Sequence, residues 1–157
     1  MKKTNAMRLL DKSGISYDQV EYDPDDGLSG LEVARSTGED PRAVFKTLVT
    51  ESNTGDNYVF VIPSTEELDL KKAAKLTNYK KMDMLAHKKL FGLTGYVHGG
   101  CSPLAMKKEL PTFIDSSAES KPYIYVSGGK RGLQIKINPK ALKDMCKAEF
   151  ENVRKES

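Results

Sequence analysis

The chain has 157 residues, of which 38% are hydrophobic and 30% charged, and 25 basic against 22 acidic side chains leave a net charge of +3. At roughly 100–200 residues per domain this is one soluble unit, long enough to bury a core without disulfides or a structural metal, and too apolar for long disorder. Two cysteines, Cys101 and Cys146, with no C-x-x-C pair exclude a disulfide scaffold and a zinc ribbon. No apolar run approaches the roughly 20 residues that cross a bilayer, and the basic Met1-Lys2-Lys3 start leads into no secretory apolar stretch. The expectation is a cytoplasmic protein away from membranes, with free thiols and no metal or other cofactor.

Residues 4–12 predict a helix capped by Thr4 or Asn5, with Met7, Leu9 and Leu10 as its apolar stripe and Gly14 after it. Ile15 to Tyr22 alternates as an extended segment, Asp23 to Gly27 is a turn, and Ser29 to Thr37 reads as a short helix with Glu32 three residues after its cap. Val44–Thr50 and Asn57–Ile62 predict a hairpin around Asn53-Thr54-Gly55-Asp56. Pro63 ends it, and a helix is expected from Ser64 or Thr65 to about Leu76, then another from Asp83 to Leu90. A short strand over Gly95–His98 and a helix opened by Ser102-Pro103 follow. Thr112–Ser116, Tyr123–Ser127 and Leu133–Ile137 read as strands, and Pro139 starts a terminal helix. Helices do not sit between every strand pair, so a mixed, curved, barrel-like sheet with flanking helices is expected rather than a regular βαβ fold.

Charge is unevenly spread. Residues 71–108 hold nine lysines and a single acid, Asp83, a net of +8, whereas residues 1–40 carry a net of −4. Such a block either solvates helix faces or binds a polyanion by counterion release. Lys46 is the one charge within the run Val44-Phe45-Lys46-Thr47-Leu48-Val49, sharing a face with Val44 and Leu48 while Phe45, Thr47 and Val49 take the other. It is either an edge-strand lysine that blocks aggregation or a cation at a pocket mouth. Gly99-Gly100-Cys101-Ser102-Pro103 is either a plain strand-to-helix junction or a loop whose N–H groups and helix N-terminus hold an oxyanion or phosphate. Ser127-Gly128-Gly129-Lys130-Arg131-Gly132 fails the P-loop pattern. It reads as a tight hairpin, either solvated or touching a phosphate backbone or a 3′-terminal nucleotide. His98 lies three residues before Cys101, but no motif supports a Cys/His nucleophile or a zinc site.

Together, Phe45-Lys46-Thr47-Leu48, Leu68 to Lys75, Thr94 to Leu104 and Tyr123 to Leu133 resemble the bacterial YbaK-type Cys-tRNA(Pro) deacylases, relatives of the editing domain inserted in bacterial prolyl-tRNA synthetases. The resemblance runs from Ala6-Met7-Arg8 to the terminal helix, implying one editing domain over 1–157. It implies hydrolytic removal of cysteine mischarged on proline tRNA, an error that arises because a pocket cannot strongly reject a near-isostere. Alternatives are alanine as the acyl group, another small acyl-ester hydrolase, or a subunit that binds tRNA or prolyl-tRNA synthetase without catalysis.

The resemblance places Lys46, Gly99 and Gly100 in the catalytic role and Tyr22, Thr47, Pro103 and Ser127 around the substrate. Lys71, Lys72, Lys75, Lys130 and Arg131 offer charge for the RNA. It also implies that the substrate thiol is the nucleophile, with no metal. The chain departs from the family pattern at Cys101, usually aliphatic, at Gln134, often aspartate, and at Ser29 and Leu31.

Overall fold

The computed structural model describes residues 2–24, 34 and 37–156. Apart from Ala34 and Thr37, the helix expected over Ser29–Thr37 and most of the turn before it lie outside the described residues. Helix α1 spans Asn5–Lys12, and the Thr4 hydroxyl caps it by accepting from the Met7 amide at 3.3 Å. Its buried face is Ala6, Met7 and Leu10. The same Thr4 hydroxyl donates to the Gly128 carbonyl at 2.6 Å, fastening the helix start to the 127–132 hairpin.

Among the described residues, eight strands form two sheets that do not close on one another. β1 (Asp18–Glu21), β7 (Leu133–Ile137) and β6 (Ile124–Ser127) make a three-stranded antiparallel sheet in the order β1-β7-β6. The larger sheet has the order β4-β2-β3-β5-β8, from β2 (Phe45–Ser52), β3 (Asn57–Pro63), β4 (Met82–Met84), β5 (Thr112–Asp115) and β8 (Glu149–Glu151). β2 pairs antiparallel with β3 and β4, whereas β3–β5 and β5–β8 are parallel. A parallel bridge between Val44 and Tyr125 brings the sheets together at one corner. The mixed α/β arrangement is as expected, with two open sheets in place of a barrel.

The strand alternation sorts the core. Phe45, Val49, Val59 and Val61 of the large sheet meet Ile124, Val126, Leu133, Ile135 and Ile137 of the small one, together with Met7 and Leu10 of α1. Each such fully buried side chain contributes about 1.5–3 kcal/mol of transfer free energy. The other face of β2 and β3 carries Leu48, Phe60 and Ile62, which pack under helix α2 (Leu70–Thr77) through Ala73 and Ala74. A third cluster joins Val44, Tyr125, Ala34 and Ala43, with Val20 against it.

Several local expectations give way to tertiary structure. Asp69, not Ser64 or Thr65, caps α2, accepting from the Lys71 and Lys72 amides at 3.0 Å; residues 64–66 are a turn whose Ser64 amide bonds Val44. The segment expected to begin a helix at Asp83 is strand β4, because β2 offers it an open edge at Thr50–Ser52. Helix α3 runs instead from His87 to Thr94 and ends on Gly95 at φ +82°, so no strand follows over Gly95–His98. No helix opens at Ser102-Pro103 either. The Ser102 hydroxyl accepts from the Leu104 amide at 3.2 Å, and Ala105 sits at φ +56°, a left-handed conformation that a right-handed helix cannot include. Helix α4 (Pro139–Cys146) forms as predicted, capped by Asn138.

Candidate functional site

The 127–132 hairpin joins the separate sequence motifs. Its closure is local: the Gly128 amide donates to Leu133 at 2.9 Å, and the Ser127 hydroxyl accepts from the Gly129 amide at 3.2 Å. Its flanks are not local. The Tyr22 amide donates to the Gly132 carbonyl at 3.0 Å, extending the β1–β7 ladder by one residue, and the Arg131 guanidinium donates to the Pro24 carbonyl at 3.2 Å.

Gly99 and Gly100 lie directly against this hairpin. A Cβ on Gly100 would stand 2.9 Å from the Arg131 backbone nitrogen and 3.0 Å from two Lys130 backbone carbons, closer than real side chains come. The close approach that demands glycine there is therefore between two loops of the protein. The Gly100 N–H is also spent on the Val97 carbonyl at 3.0 Å. Pro103 is buried behind the junction, and its carbonyl accepts from the Cys146 thiol at 3.4 Å. Because the helix expected at Ser102-Pro103 is absent, this loop carries no helix N-terminus of its own.

Strand alternation brings Tyr22, Lys46 and Ser127 to one face. Each lies two residues along from Val20, Val44 and Tyr125, which pack together in a single cluster. Lys46 is half-buried between that cluster and the one holding Leu48 and Ile62, and Ile62 is its cross-strand partner. Among the described residues its ammonium makes no hydrogen bond or ion pair. Burial pulls its pKa down, and the charge of Glu67 partly opposes that. On the small sheet, Gln134 pairs across strands with Ser127. With its amide nitrogen turned outward, Gln134 donates to both carboxylate oxygens of Glu39 at 3.0 and 3.3 Å. Burial raises the Glu39 pKa, against the Thr37 hydrogen bond and the charge of Lys136. Nothing in the local sequence around Glu39 marked it as a neighbour of the site; its proximity is set by tertiary packing.

Thr47 is not on this face. It points with Phe45 and Val49 to the main core, where its hydroxyl oxygen is buried with no hydrogen-bond partner among the described residues. Of the lysines expected to offer charge to RNA, Lys71 and Lys75 are exposed on α2 without an ion pair among the described residues. The Lys72 ammonium is occupied by Asn152 at 3.2 Å, the Arg154 carbonyl at 3.0 Å and Glu156 at 3.3 Å. Lys130 and Arg131 are both exposed at the hairpin tip.

The thiols are poor nucleophiles. Burial pushes Cys101 and Cys146 each up to about 12, and both are free. His98 does not pair with Cys101; its ring stacks on His87, 4.2 Å between centroids. Burial lowers the His98 pKa, with the His87 and Arg131 charges adding to that. Among the described residues no three His, Cys, Asp or Glu side chains gather as a metal site, and no helix is long and apolar enough to cross a membrane.

The family model of the aminoacyl-tRNA editing domain matches residues 29–145. EbsC of Enterococcus faecalis (strain ATCC 700802 / V583), named as a candidate Cys-tRNA(Pro)/Cys-tRNA(Cys) deacylase, is 43% identical over 153 residues, covering 97% of this chain and 93% of EbsC. The solved structure of a candidate trans-editing enzyme for prolyl-tRNA synthetase superposes with TM-score 0.86 at 22% identity, covering 99% of this chain and all of the other. That of the hypothetical protein APE2540 also gives 0.86, at 21% identity and with 95% and 98% coverage. These two establish the fold, while the matched family model and the identity to EbsC establish kinship: the chain belongs to the aminoacyl-tRNA editing domain family.

Proposed function

We propose that this protein is a deacylase that removes cysteine from mischarged proline tRNA, and that the editing unit comprises the whole of residues 1–157. The observation that carries the reading is Lys46, a half-buried cation with no carboxylate bonded to it among the described residues, on the face shared by Tyr22 and Ser127. A desolvated, unpaired ammonium is costly to keep unless a ligand completes it. An aminoacyl ester offers a carbonyl oxygen that gains negative charge during attack, and a fixed cation stabilises that charge in a site shielded from water.

The nucleophile in this reading is the thiol of the cysteinyl group. Its sulfur attacks the ester carbonyl, a C–S bond forms, the C–O bond to the terminal ribose breaks, and the ribose oxygen takes the thiol proton. The product is a cyclic thiolactone, which water then opens to cysteine. Intramolecular attack supplies the effective concentration that an external nucleophile lacks. Two protein thiols with pKa values near 12 do not compete for the role. EbsC is named for cysteine on two different tRNAs, which favours a site that reads the acyl group more than the tRNA body. Prolyl-tRNA synthetase, the source of the mischarged substrate, is the proposed partner in trans.

The test is single-turnover hydrolysis of proline tRNA charged with cysteine, alanine and serine, with product analysis. Cysteine is expected to be cleaved fastest, with thiolactone as first product, and serine to bind but resist cleavage because its hydroxyl is the weaker nucleophile. Equal rates for cysteine and serine would sink the substrate-assisted route. Fastest cleavage of alanine would move the specificity.

A further inference from the structure

The surface beside the Gly99–Gly100 junction carries π faces that the core does not use. Helix α3 turns Leu90, Leu93 and Thr94 inward. Phe91 is left 64% exposed and Val97, just beyond the helix, 50% exposed. His87 and Phe91 are four residues apart and so lie on one outward stripe of α3. His87 stacks on His98 with 26° between the rings, and His98 adjoins Gly99, where a Cβ would be 3.4 Å from the Arg131 side chain. The strip therefore runs from Phe91 over the two imidazoles to Arg131 and the hairpin that ends in Ser127.

A single exposed apolar residue calls for no explanation, but this one sits among unpaired cations. Among the described residues, Lys88 and Lys130 are exposed without an ion pair, and the Arg131 guanidinium makes one hydrogen bond, to the Pro24 carbonyl. Aromatic faces interleaved with a basic track are the chemistry of single-stranded nucleic-acid binding, where bases stack and phosphates meet the cations. An apolar protein partner would gain nothing from the charge excess of residues 71–108.

We propose that the unpaired 3′-terminal nucleotides of the substrate tRNA lie along this strip. Bases stack on Phe91 and on the His87–His98 pair, phosphates meet Lys88, Lys130 and Arg131, and the terminal ribose arrives at the face of Lys46 and Ser127. The inference rests on the deacylase reading for the class of ligand and adds the path by which the chain end enters.

Two uncharged RNAs test it: a proline tRNA transcript with its full 3′ end, and the same transcript cut back to the last acceptor base pair. Affinities are measured by fluorescence anisotropy at one fixed salt concentration with the full-length protein. The wild type is expected to prefer the complete RNA. Phe91→Ala should weaken that complex at least about fivefold and leave the affinity for the truncated RNA within about twofold, while Phe91→Tyr restores it. Equal effects on both RNAs, no effect on either, or no preference of the wild type for the complete end overturns the strip. So does loss of prolyl-tRNA synthetase capture in Phe91→Ala with RNA affinity intact, which makes the patch a protein dock. Hydrolysis of Cys-charged proline tRNA by the same wild-type sample separates the two ideas. End-dependent binding without hydrolysis overturns the deacylase reading alone, and hydrolysis without end dependence overturns the strip alone.

Discussion

Asp115 and Lys46 are both charges carried by strands of the large sheet, and they are treated in opposite ways. Asp115 is 0% exposed and fully satisfied: it accepts from the Val153 amide at 3.1 Å, the Ser117 amide at 3.1 Å, the Ser117 hydroxyl at 2.5 Å and the Arg154 guanidinium at 2.5 Å. Burial on its own raises this carboxyl's pKa, but the Ser117, Val153 and Arg154 bonds together outweigh it and hold the group below 3.8. Lys46 has burial without a hydrogen bond or ion pair among the described residues, and its pKa moves down, towards the neutral form. A buried charge whose every bond is made within the protein holds the chain together; one left incomplete is available to a ligand. The difference separates a C-terminal staple, fixing β8 and the chain after it to β5, from the face proposed to meet the substrate.

The comparison breaks most sharply at the staple. Asp115→Ala leaves Arg154 beside an apolar hole and should cost about 3–5 kcal/mol of unfolding free energy, read from urea melts, with the rate per folded molecule unchanged. A melt shifted by only a few tenths of a kcal/mol would mean that the pair is not structural. Lys46→Ala should do the reverse. Single-turnover hydrolysis of Cys-charged proline tRNA is expected to fall about 10²–10³-fold, the scale of losing one fixed electrostatic donor, while the melt stays where it was or rises. A folded, fully active variant would remove Lys46 from the site.

A smaller effect is expected between these extremes. Gly100→Ala forces a Cβ onto the backbone of Lys130 and Arg131, so the junction and hairpin must part; overpacking of this kind costs about 1–3 kcal/mol. Hydrolysis should drop roughly tenfold as the hairpin shifts. Gly92→Ala is the control, because a Cβ there meets nothing within 4 Å and alanine favours helix by about 0.5–1 kcal/mol. Equal behaviour of the two variants would show that the junction tolerates separation.

Local chemistry made much of this legible. Alternation marked Leu133–Ile137 as a strand with the boundaries the structure has, and Pro139 marked the start of α4. Alternation also isolated Lys46, and it already put Thr47 on the opposite face, at odds with grouping the two in one pocket. What failed was competition between near-equal local signals. Ser64, Thr65 and Asp69 are all good caps, and the bond from the Ser64 amide to Val44 decides among them. Met82–Met84 has no strong strand pattern and becomes one because β2 has a free edge. The packing of Gly100 on Lys130 and Arg131 joins segments 30 residues apart in the chain, and no local pattern encodes it.

The smallest expected effect is also the one that tests the comparison without assuming any substrate. A carboxyl held below 3.8 contributes stability that is complete above the unfolded value and is lost as pH falls through the folded one. Asp115 should therefore supply an acid-side loss of stability beginning below about pH 4. Lys46 is shifted in the same downward sense but is a base. Between its lowered folded pKa and the ordinary 10.5, the native state has released a proton that the unfolded chain still holds, so stability from this group rises with pH across that window. Unfolding free energies taken from pH 3 to 10.5 for the wild type, Asp115→Asn and Lys46→Met isolate the two groups by difference. Asp115→Asn should flatten the acid arm and leave the alkaline arm unchanged. Lys46→Met should remove a rise on the alkaline side and leave the acid arm intact. An alkaline difference of the opposite sign would mean that Lys46 has a partner in the folded protein, and the contrast between the satisfied charge and the waiting one would collapse.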